Sequence, residues 1–143
     1  MTELANDLVY NAEKYTFFDD AKKVIPLLHN KYKLAVVSDA WPSLTDVFIN
    51  AGLYSYFSSF IISSQIGVTK PNEKMYLTAL NELNVMPDRA IFIDDNLNNC
   101  LGAKRLGIHA ILLCRDEKYY ISQKIMSIGK GYSVIHSLNE LIT

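Results

Sequence analysis

An α/β fold on a mostly parallel sheet is what this sequence predicts, from three observations. Short apolar runs alternate with amphipathic stretches of helical period along nearly the whole chain. The runs at 33–38, 90–94 and 109–114 are almost continuous in Val, Ile, Leu, Phe and Ala, as expected of interior strands covered on both faces. Glycine stands where a helix must end in a left-handed turn, at Gly52 in Asn50-Ala-Gly-Leu and at Gly107 in Arg105-Leu-Gly-Ile.

The elements follow in order. Residues 1–16 read as an N-terminal helix with no evident place to pack. The stretch 20–31 has apolar residues three or four apart and reads as the first core helix, with Asp19 and Asp20 placed to cap it. Strand 33–38 ends in Ser38; Ser43 is placed to cap the helix that stops at Gly52. A strand follows at 60–63, then a helix over 72–83 with Asn72 as its cap. Strand 90–94 leads into a helix from Leu97, strand 109–114 into a helix carrying Tyr119 and Tyr120, and the last strand is 133–136. No repeat, linker or low-complexity tract divides the chain. Residues 17–143 form one core after the 1–16 segment.

Composition narrows the function. The 143 residues are 50% apolar and 20% charged, a soluble globular balance. A formal charge of −1 gives no electrostatic capture of nucleic acid or of an acidic membrane surface. No apolar run approaches the roughly 20 residues that cross a bilayer. Cys100 and Cys114 lack metal-ligand spacing, and His29, His109 and His136 lack the spacing of a metal site or triad. The plain expectation is a reduced, cytoplasmic protein.

Three segments carry chemistry. Leu34-Ala-Val-Val-Ser38 ends a strand in a hydroxyl at the carboxyl edge, where open α/β sheets bind ligands. Such a serine can bond a phosphoryl oxygen or simply serve a turn. Asp39 beside it adds negative charge to an anion site. Gly67-Val-Thr-Lys70-Pro71 places an ammonium next to a helix start, where it can neutralise a phosphoryl group or stay solvated. Ala90-Ile-Phe-Ile-Asp94-Asp95-Asn96 delivers two carboxylates together at a buried strand's end. They would repel unless a cation relieved them, and Mg²⁺ suits few hard oxygen ligands. Asn99, one turn beyond Asp95, could orient a carboxylate or a metal-bound water. Asp95 or Asn96 could equally cap the next helix without metal. Trp41 and Pro42, just after Ser38, could border a substrate mouth or pack.

In this order and spacing the three segments resemble the second, third and fourth motifs of haloacid dehalogenase-like (HAD) hydrolases with a helical cap, and the resemblance covers about 17–143. It implies a three-layer, Rossmann-like core with a mostly parallel sheet. It also implies Lys70 and Ser38 as catalytic residues, phosphate binding by Ser38, Asp39 and Lys70, and Mg²⁺ on Asp94, Asp95 and Asn99. The implied reaction is Mg²⁺-dependent hydrolysis of a small phosphorylated metabolite, with no nucleic-acid or membrane partner. The family's first motif, of the form Asp-x-Asp-Gly-Thr with the nucleophile, has no match here. The resemblance thus implies a core lacking its central first strand and most of the cap, with 1–16 as a cap remnant.

That gap has physical consequences. The absent strand would lie between those ending in Ser38 and Asp94, leaving them about 10 Å apart. Their facing edges must close up, be filled by another segment, or pair with a partner or second copy. Without the aspartate no aspartyl-phosphate can form, so the chain alone should turn over little or nothing and act at most as a phosphate- or metal-binding module.

Overall fold

In a computed structural model, residues 10–11 and 16–142 are described. The expected helix at 1–16 lies almost wholly outside them. Its described parts are extended: β1 (Tyr10–Asn11) pairs antiparallel with β2 (Thr16–Phe17). After these come α1 (Asp19–His29), β3 (Ala35–Ser38), α2 (Leu44–Asn50), β4 (Ser59–Ile62), α3 (Ser63–Ile66) and α4 (Glu73–Leu83). Then follow β5 (Ile91–Asp94), α5 (Leu97–Arg105), β6 (His109–Leu113), α6 (Glu117–Met126) and β7 (Ser133–Ile135). Each except α3, which the sequence reading did not expect, lies within two or three residues of its sequence expectation.

The parallel strands form two separate sheets. β3 pairs with β4, from Ala35 opposite Ser59 to Ser38 opposite Ile62. β5, β6 and β7 form the other, with Ile91 opposite His109 and Asp94 opposite Leu112. β3 and β5 do not pair. The two facing edges have neither closed up nor been filled by a described segment.

Helices join what the strands do not. On one face, Ala21, Val24 and Ile25 of α1 share a core with Val36 and Phe48 and also with Leu113 and Ile135 of the other sheet. On the opposite face, α4 buries Met75 and Ala79 against Ile61, and Tyr76 and Leu80 against Ala103 and Ile108. The result is the three-layer arrangement expected.

Three expectations need correction. Ser43 makes no side-chain cap; its backbone is already helical. Asp19 and Asp20 do not cap α1 either, because Asp20 turns to the far end of the chain. It accepts bidentate bonds from Arg115 at 2.9 and 3.1 Å, and further bonds from Ser137 Oγ and the Leu138 N–H. The guanidinium also lies 3.8 Å from the Phe18 ring centroid. Finally, β5 is not covered on both faces, since Ile91 is 59% exposed. Asn72 caps α4 as expected, accepting from the Lys74 N–H, and Gly52 and Gly107 adopt φ of +74° and +88°.

The Asp20 clamp should set the acid limit of the fold. Burial alone would raise the Asp20 carboxyl, but its bonds from Arg115, Leu138 and Ser137 more than offset this and hold it below its usual range. The stabilisation is therefore complete above the ordinary carboxylate range near pH 4 and fades as pH falls through the lower folded-state value. Arg115→Ala should cost about 1–3 kcal/mol at pH 7 in urea unfolding, with a smaller deficit at pH 3. An equal deficit at both pH values would refute an ionic clamp.

Candidate phosphate site at the mouth of a split sheet

Ser38, Lys70 and Asp94 converge because the chain delivers them from three directions. β3 and β5 run parallel, so Ser38 and Asp94 emerge at the same, carboxyl edge of the two sheets. Lys70 arrives from the loop between α3 and α4, through a cis Lys70–Pro71 peptide bond. All three side chains are buried, an uncommon state for lysine and aspartate unless paired.

The pairing is specific. Lys70 Nζ donates to Asp94 Oδ2 at 2.8 Å and to the Val37 carbonyl at 3.0 Å, and lies 5.7 Å from the Phe92 ring centroid. Asp94 Oδ2 also accepts from Asn99 Nδ2 at 3.3 Å, while Oδ1 accepts the Asn96 N–H at 2.9 Å. Asp39 accepts the Lys70 backbone N–H at 2.9 Å. Its carboxylate is thus turned to hold the lysine loop, and an acceptor in that role has no hydrogen to offer a phosphate. Ser38 differs from its neighbours: it is wholly buried, and its hydroxyl finds no hydrogen-bond partner among the described residues. A buried hydroxyl left so is costly unless a ligand or water oxygen accepts from it.

The acidic pair divides its work. Asp94 is already served by three donors, so Asp95 is the carboxylate that would face a cation. Among the described residues no group of three His, Cys, Asp or Glu could hold a metal ion. Asp95 and the Asn99 side-chain amide oxygen are hard oxygen donors of the kind that suits Mg²⁺, fewer than such an ion takes in full. Asn96 caps α5, accepting the Asn99 N–H at 3.1 Å. His29 and His136 bond the backbone carbonyls of Tyr56 and Cys114. Trp41 is 77% exposed just beyond Ser38.

Two supporting residues went unnoticed in the sequence. The Tyr76 hydroxyl donates to the Asn99 carbonyl at 2.7 Å, and its ring meets Phe92 edge-on. Gly102 lets α5 approach: a Cβ there would lie 2.8 Å from Pro71 Cβ and 2.9 Å from the Tyr76 oxygen. The Lys70–Pro71 loop, α4 and α5 thus lock together behind the ion pair. Helical periodicity marks Tyr76 as core but carries no sign of this bond, and Gly102 lies mid-helix, where a lone glycine signals close packing.

No described cysteine or tyrosine here replaces a carboxylate nucleophile. Burial, reinforced by the Asp94 carboxylate, pushes the Cys100 thiol and the Tyr76 hydroxyl well above their usual values. Burial and Asp95 push Cys114 up to about 11. Such thiols stay protonated and unreactive near neutrality.

Comparison with known proteins agrees with this geometry. A family model described as haloacid dehalogenase-like hydrolase matches residues 2–113. The glyceraldehyde 3-phosphate phosphatase of Methanopyrus kandleri is 31% identical over 116 residues, which are 77% of this chain and 50% of that protein. A crystal structure of a HAD phosphatase from Thermococcus onnurineus superposes with a TM-score of 0.75 at 25% identity, covering 90% of this chain and 60% of that one. YfnB from Bacillus subtilis, in a structure bound to magnesium, shares the fold at TM-score 0.74 and 18% identity, over 89% and 54%. The chain spans about half the length of the curated relative it matches.

The lock behind the ion pair has a direct test. Gly102→Ala should cost about 1–3 kcal/mol of unfolding free energy, since neither Pro71 nor the hydrogen-bonded Tyr76 hydroxyl can give way cheaply. Tyr76→Phe should cost about 1 kcal/mol or more, because a buried carbonyl loses its donor. Denaturant melts of both variants that match the parent would show the packing to be slack.

Proposed function

This chain belongs to the haloacid dehalogenase-like hydrolase family, and we propose that it carries the phosphate-binding half of a Mg²⁺-dependent phosphomonoesterase site. The observation that carries the reading is Ser38, a wholly buried strand-end hydroxyl without a described partner, set in the same mouth as the buried Lys70 ammonium. Ser38 would donate to one phosphoryl oxygen. Lys70 would neutralise charge on the phosphoryl group and on an attacking carboxylate, held by Asp94 through its ammonium and by Asp39 through its backbone. Asp95 and Asn99 are this chain's contribution to a Mg²⁺ site, where the ion would supply further neutralisation of phosphate charge.

The nucleophile is not among these groups. The 143 residues hold no Asp-x-Asp-Gly-Thr segment, and the described cysteines are buried and protonated. The reaction class is in-line attack by a carboxylate on a small phosphorylated metabolite, completed only when that carboxylate is supplied from outside these residues. By themselves they recognise phosphate without turnover. The phosphatase name of the Methanopyrus relative supports the substrate class, and two free, buried cysteines suit a reducing, cytoplasmic setting.

Calorimetry with inorganic phosphate and MgCl₂ tests the half-site. The parent chain should bind saturably and Ser38→Ala about tenfold more weakly, the worth of one hydrogen bond to an anion. Equal binding by parent and variant would sink the assignment of Ser38. Steady hydrolysis of p-nitrophenyl phosphate by the chain alone would overturn the need for an outside carboxylate.

A further inference from the structure

Just after the phosphate-site serine the backbone is held and one large side chain is not. Asp39, Ala40 and Leu44 are buried, yet Trp41 among them is 77% exposed. It is the single tryptophan of the chain. An indole is a broad apolar surface that folding mostly buries. Apolar residues scattered singly over a surface need no explanation, but this one stands on a fixed frame. The Asp39 carboxylate accepts the Lys70 backbone N–H at 2.9 Å. The Ala40 carbonyl accepts the Ser64 N–H at 3.3 Å and the Ser63 hydroxyl at 3.4 Å. On the other side, the carbonyls of Trp41 and Pro42 accept the N–H groups of Leu44 and Thr45 at 3.0 and 3.3 Å. The proline that follows narrows the backbone of Trp41 further.

That frame is built from the phosphate site itself. Its bonds run from Asp39 and Ala40 to Lys70, Ser64 and Ser63, the segment that delivers the ammonium. Three peptide units separate Trp41 from Ser38, so their Cα atoms lie at most about 11 Å apart. A ring esterified to a phosphoryl group at Ser38, together with the length of the indole, bridges such a span. The neighbouring polar groups offer the organic part of an ester little, because Asp39 is turned to the Lys70 backbone and Ser63 to the Ala40 carbonyl. What remains beside the mouth is a flat π face whose backbone is already ordered. Little freedom is left to lose when it closes on a ligand, and the ligand best matched to it is another flat ring.

We propose that Trp41 is a specificity-determining residue of the phosphate site, and that it selects phosphate monoesters whose organic group is a planar ring. The phosphoryl group stays with Ser38 and Lys70. The ring lies against the indole, offset or edge-on as aromatic pairs prefer, and water leaves both faces. The anchor rests on the phosphate-site reading of Ser38 and Lys70; the preference for a ring rests on Trp41 and its frame.

Calorimetry on the full chain, with MgCl₂ present, compares inorganic phosphate, glycerol phosphate and phenyl phosphate. Phenyl phosphate should bind about tenfold more tightly than the other two, the worth of one ring stacked on an aromatic side chain. Trp41 is the sole tryptophan, so its emission should move to shorter wavelength with the same midpoint. Trp41→Ala should weaken phenyl phosphate about tenfold and leave inorganic phosphate unchanged, while Trp41→Phe should keep most of the preference. Ser38→Ala should weaken all three ligands together. Ring selection alone is overturned if phosphate binds and phenyl phosphate binds no better. It is also overturned if the preference survives in Trp41→Ala, which would seat the ring in the apolar cleft lined by β3 and β5. Equal weakening of phosphate and phenyl phosphate by Trp41→Ala overturns it too, since the tryptophan would then only hold the loop. If none of the three ligands binds, the phosphate site itself has failed, and ring selection falls with it.

Discussion

The buried pair of Lys70 and Asp94 is the interaction on which the rest of this structure turns. It ties β5 to β3 at their carboxyl ends, through Asp94 on one side and the Val37 carbonyl on the other. Two charges removed from water carry a desolvation penalty that mutual attraction repays only when every remaining lone pair and proton is satisfied. Here they are: Asn96 and Asn99 complete the carboxylate, and the Phe92 ring and Val37 carbonyl complete the ammonium. That satisfaction explains the surrounding residue choices. Asn96 must cap α5 to present its N–H, Gly102 must lack a side chain for α5 to come close, and Asp39 must fix the Lys70 backbone for the ammonium to reach.

Around this pair the fold is continuous in its helices and discontinuous in its sheet. A two-stranded sheet is marginal in water, and β3–β4 persists because α1 and α4 cover its faces. The core that includes Ala21 and Val24 reaches Val36 in one sheet and Ile135 in the other, so apolar packing and not strand pairing spans the division. The cost is visible in β5, a strand of Ile-Phe-Ile that exposes Ile91 and leaves Phe92 and Ile93 half-buried. An apolar sequence in a half-covered position is a local conflict between pattern and environment, and such conflicts gather at functional or incomplete sites.

Much of this was legible in the sequence because its signals are local. Continuous apolar runs named β3, β5 and β6, and glycines at positive φ named the ends of α2 and α5. The meeting of Ser38, Lys70 and Asp94 followed from motif order; the separation of β3 from β5 answers to the motif that has no match, although the edges were expected to be closed, filled or partnered and among the described residues are not. What stayed hidden needed distance. Nothing local tells Asp20 to leave its helix cap for Arg115, 95 residues away. Nothing local separates Asp94, held by lysine, from Asp95 beside it, or shows that Asp39 faces the Lys70 backbone. Adjacent carboxylates read alike until a third element arrives to choose between them.

The same geometry couples stability to chemistry. The facing edges of β3 and β5 have no strand partner among the described residues, and Lys70 bonds the Val37 carbonyl at one of them. The ammonium that bonds Asp94 also takes up the Val37 carbonyl, an acceptor of β3 on the side away from β4. Loosening that contact would uncover a backbone acceptor and unpair a buried carboxylate together, so stability and the charge of the mouth rest on the same few atoms.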